Sequence, residues 1–166
     1  MTKQTSSPTG LHNGSGYDMP TYTQIIYHIV FSTKNRSRTL ASDNREALCR
    51  YIWGVIKEKN SHLYRIGGTD DHIHILSSLH PSEPLANFVR DIKTASSNWM
   101  KKRDVFRSFS SWQEGYGAFT HSLGEQDRLI EYIKNQELHH RTVSFGDELR
   151  GLLREAGIHF DEKYLL

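Results

Sequence analysis

The chain has 166 residues, 36% of them hydrophobic and 24% charged, which predicts one domain around a single core, with tails and room for little more. The single cysteine, Cys49, excludes an internal disulfide, and no apolar run approaches the roughly 18 residues that span a bilayer, so the chain reads as a soluble, cytoplasmic protein. A formal net charge of +2 says little about partners, but its distribution says more. Lys34, Arg36 and Arg38 follow one another with no acid between them, and Arg90, Lys93, Lys101, Lys102, Arg103 and Arg107 outnumber Asp91 and Asp104. From Glu125 onward nine acids face six Lys or Arg, so a phosphate backbone would be met by the central portion.

In chain order, residues 1–20 are rich in Ser, Thr, Gly and Asn and poor in apolar side chains, which predicts a disordered leader. Tyr22 to Thr33 is β-branched and apolar and predicts a strand, and Ser42 to Asn60 has helical spacing through Ala47, Leu48, Ile52, Val55 and Ile56. His62 to Gly68 and Asp71 to Leu79 predict two strands joined by a tight turn at Thr69 and Asp70. Pro84 opens a helix to about Lys102, with Leu85, Phe88, Val89, Ile92 and Trp99 inward, and Trp112 to His121 predicts a fourth strand. The order βαββαβ predicts an α+β, ferredoxin-like (RRM-like) split sheet, antiparallel, with both helices on one face and the other face free.

Beyond the last strand, Ser122 followed by Glu125 is a capping-box signature, and Leu129, Ile130, Ile133 and Leu138 supply a helical stripe. This helix can cross the free sheet face. A further amphipathic helix, about 144 to 156, ends at Gly157. The organisation is therefore a leader over 1–20, a principal domain over 21–141, and a carboxyl-terminal helix and tail over 142–166.

The chemistry-bearing feature is His72-Ile73-His74 on the third strand. Strand side chains alternate faces with a period of two, so His72 and His74 project together and can grip one metal ion, while Ile73 and Ile75 go to the other side. In the helix after the sheet, Tyr132 and Gln136 are four apart and neighbours on one face, as a nucleophile beside a metal ligand would be. Each pair alone is more often ordinary packing or a solvated face. His28 alternates onto a face with Ile26 and Val30, which leaves open a place beside the site or a packing role.

Together these segments resemble the single-tyrosine HUH transposases of bacterial insertion sequences, which move single-stranded DNA. The resemblance runs from about Thr21 to Gln136 and rests on four segments: His28-Ile29-Val30-Phe31-Ser32-Thr33-Lys34, Asp71-His72-Ile73-His74-Ile75-Leu76, Trp112 to Phe119, and Glu131-Tyr132-Ile133-Lys134-Asn135-Gln136. It implies that His72, His74 and Gln136 bind a divalent metal, Mg2+ or Mn2+, and that Tyr132 is the nucleophile, forming a 5′-phosphotyrosine. His139 and His140 are secondary candidates for a ligand or a phosphate contact. Lys34, Arg36, Arg38, Arg90, Lys93, Lys101, Lys102 and Arg103 are candidates for DNA contacts, with Trp112 or Tyr116 as stacking platforms. The resemblance also implies single-stranded DNA with hairpin ends as partner, and a homodimer whose tyrosine helix completes the other chain's site. Two other readings fit the same residues: a metal-dependent nuclease using water, and a nucleic-acid-binding domain that has kept the fold without the chemistry.

Overall fold

A computed structural model of the chain describes residues 22–103 and 106–165. The leader predicted over 1–20 lies outside them. Four strands, β1 (Ile26–Ser32), β2 (His62–Gly68), β3 (His72–Ser78) and β4 (Gly117–His121), form one sheet in the order β2-β3-β1-β4. Every neighbouring pair is antiparallel, with β1 and β3 at the centre. Two helices, α1 (Ser42–Glu58) and α2 (Leu85–Arg103), connect β1 to β2 and β3 to β4, which gives the predicted ferredoxin-like α+β fold.

Strand alternation divides the sheet into two chemically different faces. Ile29, Phe31, Ile73 and Ile75 lie under α1 and α2, against Leu48, Ile52 and Ile56 of the first and Phe88, Val89, Ile92 and Met100 of the second. Fully burying each such aliphatic side chain is worth about 1.5–3 kcal/mol, so this layer holds the domain together. The register places His28 opposite Leu76, Val30 opposite His74 and Ser32 opposite His72, and these six residues share the other face.

Three helices follow β4: α3 (Gln126–Lys134), the single turn α4 (Gln136–His139) and α5 (Phe145–Glu155). They cover that second face. Leu129 and Ile133 of α3 pack on Ile26 and Leu76, and Phe145 of α5, with Leu149, Leu152 and Leu153, packs on Val30 and Phe119. Gly67 of β2 lets α3 come close, since a Cβ there would sit 2.9 Å from both Ile133 Cγ2 and the Ile133 carbonyl oxygen. The predicted capping box forms on the 3-10 turn at Leu123–Glu125 that leads into α3, with the Ser122 N–H donating to Glu125 Oε2 at 2.9 Å. Ser144 caps α5 by accepting from the Asp147 N–H at 3.2 Å.

Three boundaries differ from expectation, and the first is that β1 starts at Ile26 rather than Tyr22. The fourth strand starts at Gly117 rather than Trp112, whose backbone makes only an isolated bridge to Thr33. Its indole is instead a core group, edge-on to Phe31 and Phe109 and donating from Nε1 to Ser96 Oγ at 3.0 Å. The helix predicted through Tyr132 and Gln136 is interrupted at Asn135, whose φ and ψ of −92° and 13° end α3 before α4 begins.

Candidate functional site

The two strand histidines are fully buried and turned towards one point. His72 Nδ1 lies 2.6 Å from Asp71 Oδ1 and 3.0 Å from Thr69 Oγ1. A carboxylate only accepts, so it holds the proton on Nδ1 and leaves Nε2 as the outward-facing donor of a lone pair. Asp71 answers in kind: burial raises its pKa, but the His72 imidazole and the Thr69 hydroxyl outweigh that and leave it below the usual value. His74 Nδ1 lies 2.8 Å from His28 Nε2, with the two rings stacked at 5.1 Å. His28 is thus beside the site, fully buried, and held neutral first by burial and then by its histidine neighbours. Burial likewise lowers the His74 pKa to about 4.

From the helical side, Gln136 is buried and places Oε1 3.2 Å from His72 Nε2. Tyr132 is half-buried, with its ring edge-on to His74 at 5.9 Å and to His28 at 6.1 Å. His72, His74, Gln136 and Tyr132 therefore meet within one chain. The break at Asn135 does not separate Tyr132 from Gln136, because the chain keeps turning in the same sense through α4.

His140, predicted only as a secondary candidate, belongs to the cluster: its ring lies 4.5 Å from that of His72, and its Nε2 is 3.0 Å from Glu148 Oε2. His139 stands further out, one-third exposed, with Nε2 3.9 Å from Glu148 Oε1. The residue that sequence reasoning misses is Glu148, on α5. Its side chain is 2% exposed. Oε1 accepts from the Tyr132 hydroxyl and, at 2.9 Å, from Gln136 Nε2; Oε2 lies 3.7 Å from His72 Nε2 and 3.4 Å from His74 Nε2. No spacing marked it, since an acid in the first turn of an amphipathic helix ordinarily answers the helix dipole.

The electrostatics follow from this crowding. Burial opposes ionisation of Glu148, but the imidazoles of His140 and His74 and the Tyr132 hydroxyl around it hold its pKa far below the usual carboxylate range. The same carboxylate, after burial itself, pushes the Tyr132 phenol well above its ordinary value. For His140, burial lowers the pKa but Glu148 and the Val143 carbonyl more than restore it.

The side chains fit a divalent ion on three observations. His74 Nε2 is buried and makes no hydrogen bond within the described residues, and His72, His74, His140 and Glu148 each offer a ligand atom within 4.8 Å of the others. The Gln136 oxygen and the His72 Nε2 lone pair also face each other, two acceptors with room for a cation to reconcile them.

The basic candidates separate into three groups. Arg36 and Arg38 line a cavity of about 700 Å³ that also takes in Arg45, Arg107, Asp71 and His140, so it opens beside the site. Arg36 in addition donates to the Leu165 carbonyl and lies over the Phe145 ring. Lys34, Arg90, Lys101, Lys102 and Arg103 are exposed, Arg90 against Asp91 and Arg103 over Trp99. Lys93 turns inward, donating to the Gln113 and Gly115 carbonyls at 2.6 and 2.8 Å, and so tethers the loop before β4. Of the stacking candidates, Trp112 is buried and Tyr116 is 41% exposed.

A sequence model of the family described as "Transposase IS200 like" matches residues 21–136. The ISDra2 transposase TnpA of Deinococcus radiodurans is 22% identical over 134 residues, covering 78% of this chain and 93% of that protein. The transposase for insertion sequence element IS200 of Salmonella typhimurium is 28% identical over 116 residues, 66% of this chain and 75% of that protein. In fold, the chain resembles a putative transposase from Deinococcus radiodurans with a TM-score of 0.55 at 23% identity, over 76% of this chain and 98% of that one. It also resembles a REP-associated tyrosine transposase bound to a REP hairpin, with a TM-score of 0.54 at 16% identity, over 75% and 76%. Among the described residues no helix is long and apolar enough to cross a membrane. His140 and Glu148 lie beyond the segment that the family model matches.

Proposed function

The chain belongs to the IS200-like transposase family, and on that footing we propose that it cuts and rejoins single-stranded DNA at insertion-sequence ends, with Tyr132 as nucleophile and a divalent metal held by His72, His74 and Gln136. The observation that carries this reading is the convergence of the Tyr132 hydroxyl, two inward imidazoles and a carboxamide on one buried point. Strand alternation aims the imidazoles, Asp71 and His28 fix the far nitrogens, and α3 delivers the phenol. Bound there, Mg2+ or Mn2+ would supply Lewis-acid polarisation of the scissile phosphate; the mixed nitrogen and oxygen donors suit Mn2+ at least as well as Mg2+.

Tyr132 attacks phosphorus as the bond to the 3′ oxygen breaks, its phenolic proton ends on that oxygen, which leaves as a hydroxyl, and the 5′ phosphate stays on the tyrosine. A later 3′ hydroxyl reverses the step, so joining needs no external energy source. Arg36, Arg38 and Arg107, which line the adjacent cavity, would hold the strand's phosphates. Hairpin ends as the recognised DNA are supported by the structural neighbour bound to a REP hairpin.

Cutting and rejoining two ends requires two sites held together, which favours a homodimer. Tyr132 lies beside the His74 of its own chain, which supports a site complete in each protomer over one shared between protomers. Mixing His72→Ala/His74→Ala chains with Tyr132→Phe chains separates the two: verified heterodimers stay inactive if the site is complete in one chain and regain cleavage if it is shared.

The test is incubation with single-stranded DNA from either side of the gene, including any imperfect palindromes there, with Mg2+ or Mn2+, followed by a denaturing gel. The expected result is a covalent adduct mapping to Tyr132 by peptide mass. Cleavage without an adduct would mark a nuclease using water. Binding without metal-dependent cleavage would mark a nucleic-acid-binding domain.

A further inference from the structure

Glu148 stands where a ligand would stand, yet it is carried by a helix outside the segment that defines the family. Its two oxygens are divided between two sets of partners. Oε2 faces the imidazoles of His72, His74 and His140 at 3.7, 3.4 and 3.0 Å, while Oε1 receives the Tyr132 hydroxyl and the Gln136 amide. Metal–ligand bonds of about 2.0–2.2 Å put neighbouring ligand atoms about 3–3.5 Å apart. The separations of Oε2 from His74 Nε2, 3.4 Å, and of Gln136 Oε1 from His72 Nε2, 3.2 Å, lie in that range, and that of Oε2 from His72 Nε2, 3.7 Å, is slightly longer.

We propose that Glu148 is a further metal ligand through Oε2 and positions the Tyr132 hydroxyl through Oε1, so that α5 is part of the active centre. The proposal rests on the metal reading given above and adds a charged donor to it. Three features of the structure support it. The carboxylate is almost fully buried, and a buried anion requires a compensating cation. The nitrogens around it are imidazole nitrogens, those of His140 and His74 at 3.0 and 3.4 Å from Oε2 and that of His139 at 3.9 Å from Oε1. His74 Nε2, fully buried, makes no hydrogen bond among the described residues and lies 3.4 Å from the same oxygen. A divalent ion at that point satisfies both the anion and the lone pair.

A carboxylate also changes what the site prefers to bind. Two imidazoles and a carboxamide are neutral, whereas Glu148 lowers the net charge of a bound dication to +1 and raises affinity for hard cations such as Mg2+ and Mn2+. Because one side chain touches both groups, loading the metal and aligning the nucleophile become a single event.

The experiment is Mn2+ binding to the full chain without DNA, followed by electron paramagnetic resonance, for the natural protein and for Glu148→Gln, Glu148→Asp and His72→Ala. Glu148→Gln removes the charge and should weaken Mn2+ at least about tenfold. Glu148→Asp keeps the charge but falls one methylene short, so it should fold even if the Gln variant does not, and it too should lose at least about tenfold. Visible absorption of the Co2+-loaded protein should change in the variants, as a purely structural role would not require. Natural Mn2+ affinity and an unchanged Co2+ spectrum in either folded Glu148 variant would overturn the proposal. If His72→Ala also bound Mn2+ normally, the metal site itself would be misplaced; if only His72→Ala lost binding, the site would stand and Glu148 would lie outside it.

Discussion

The two faces of the sheet are made by the same strands and differ residue by residue. Ile73 and Ile75 alternate with His72 and His74 along β3, and Ile29 alternates with His28 along β1. On the α1/α2 face the alternation buries aliphatic side chains against two long helices. On the other face it buries histidines under α3 and α5, where an unmet nitrogen and a carboxylate with half a dozen polar neighbours persist in the interior. Burial of apolar groups lowers free energy at every position; burial of polar groups does so only when each finds a partner. The first face supplies the stability that lets the second carry an arrangement suited to a ligand rather than to packing.

The largest contrast should come from the polar face. Tyr132→Phe, which removes one oxygen, should leave the fold intact and bring the covalent adduct below detection on a denaturing gel. His72→Ala and His74→Ala should do the same to cleavage while changing the unfolding midpoint far less than a core truncation does. The reverse variant, Ile75→Ala, should cost about 2–5 kcal/mol in urea unfolding and leave the cleavage rate of the remaining folded protein nearly unchanged. If Ile75→Ala instead removed cleavage at full folding, the division of labour between the faces would fail.

Acid should distinguish the faces next. The His74 pKa is lowered to about 4 by burial, against about 6.5 for an unperturbed imidazole. Between those values the unfolded chain holds a proton at this position that the folded chain does not. Stability of the metal-free protein should therefore be complete above about pH 6.5 and fall as pH drops towards 4, by up to about 3 kcal/mol from this group. His74→Ala should flatten that slope in chemical denaturation followed across pH, and an unchanged slope would mean that other groups set it.

Smaller effects test how the second face is closed. Gly67→Ala drives a methyl group into the Ile133 backbone, at a cost of about 1–3 kcal/mol, and should lower adduct formation more than its effect on stability alone explains, because α3 carries Tyr132. Ser122→Ala removes the hydroxyl of the capping box and should cost about 0.5–2 kcal/mol with little change in cleavage by the folded protein.

Strand period two made His72 and His74 legible as a pair and Ile73 and Ile75 legible as core, and the capping box made the start of the tyrosine helix legible. Those are local rules, and they apply whatever else the chain does. Tyr132 and Gln136 were readable as a pair from their spacing, although the helix that suggested it breaks at Asn135. Trp112 and Lys93 show the opposite case. An aromatic residue before β4 and a lysine on α2 look available for DNA, but the loop at 112–116 folds back on α2, burying the indole and drawing the ammonium onto two carbonyls.

The sequence by itself determined the sheet, its two faces and the strand half of the site, because alternation and periodicity are properties of a few consecutive residues. Only the tertiary structure decided that His28 backs His74, that His140 joins the cluster and that Glu148 closes it. Those placements depend on how α3 and α5 dock over the second face, through Leu129 and Ile133 on one side and Phe145 on the other. Apolar contacts set that docking, and the polar side chains are brought together as its consequence, so no spacing along the chain could announce it.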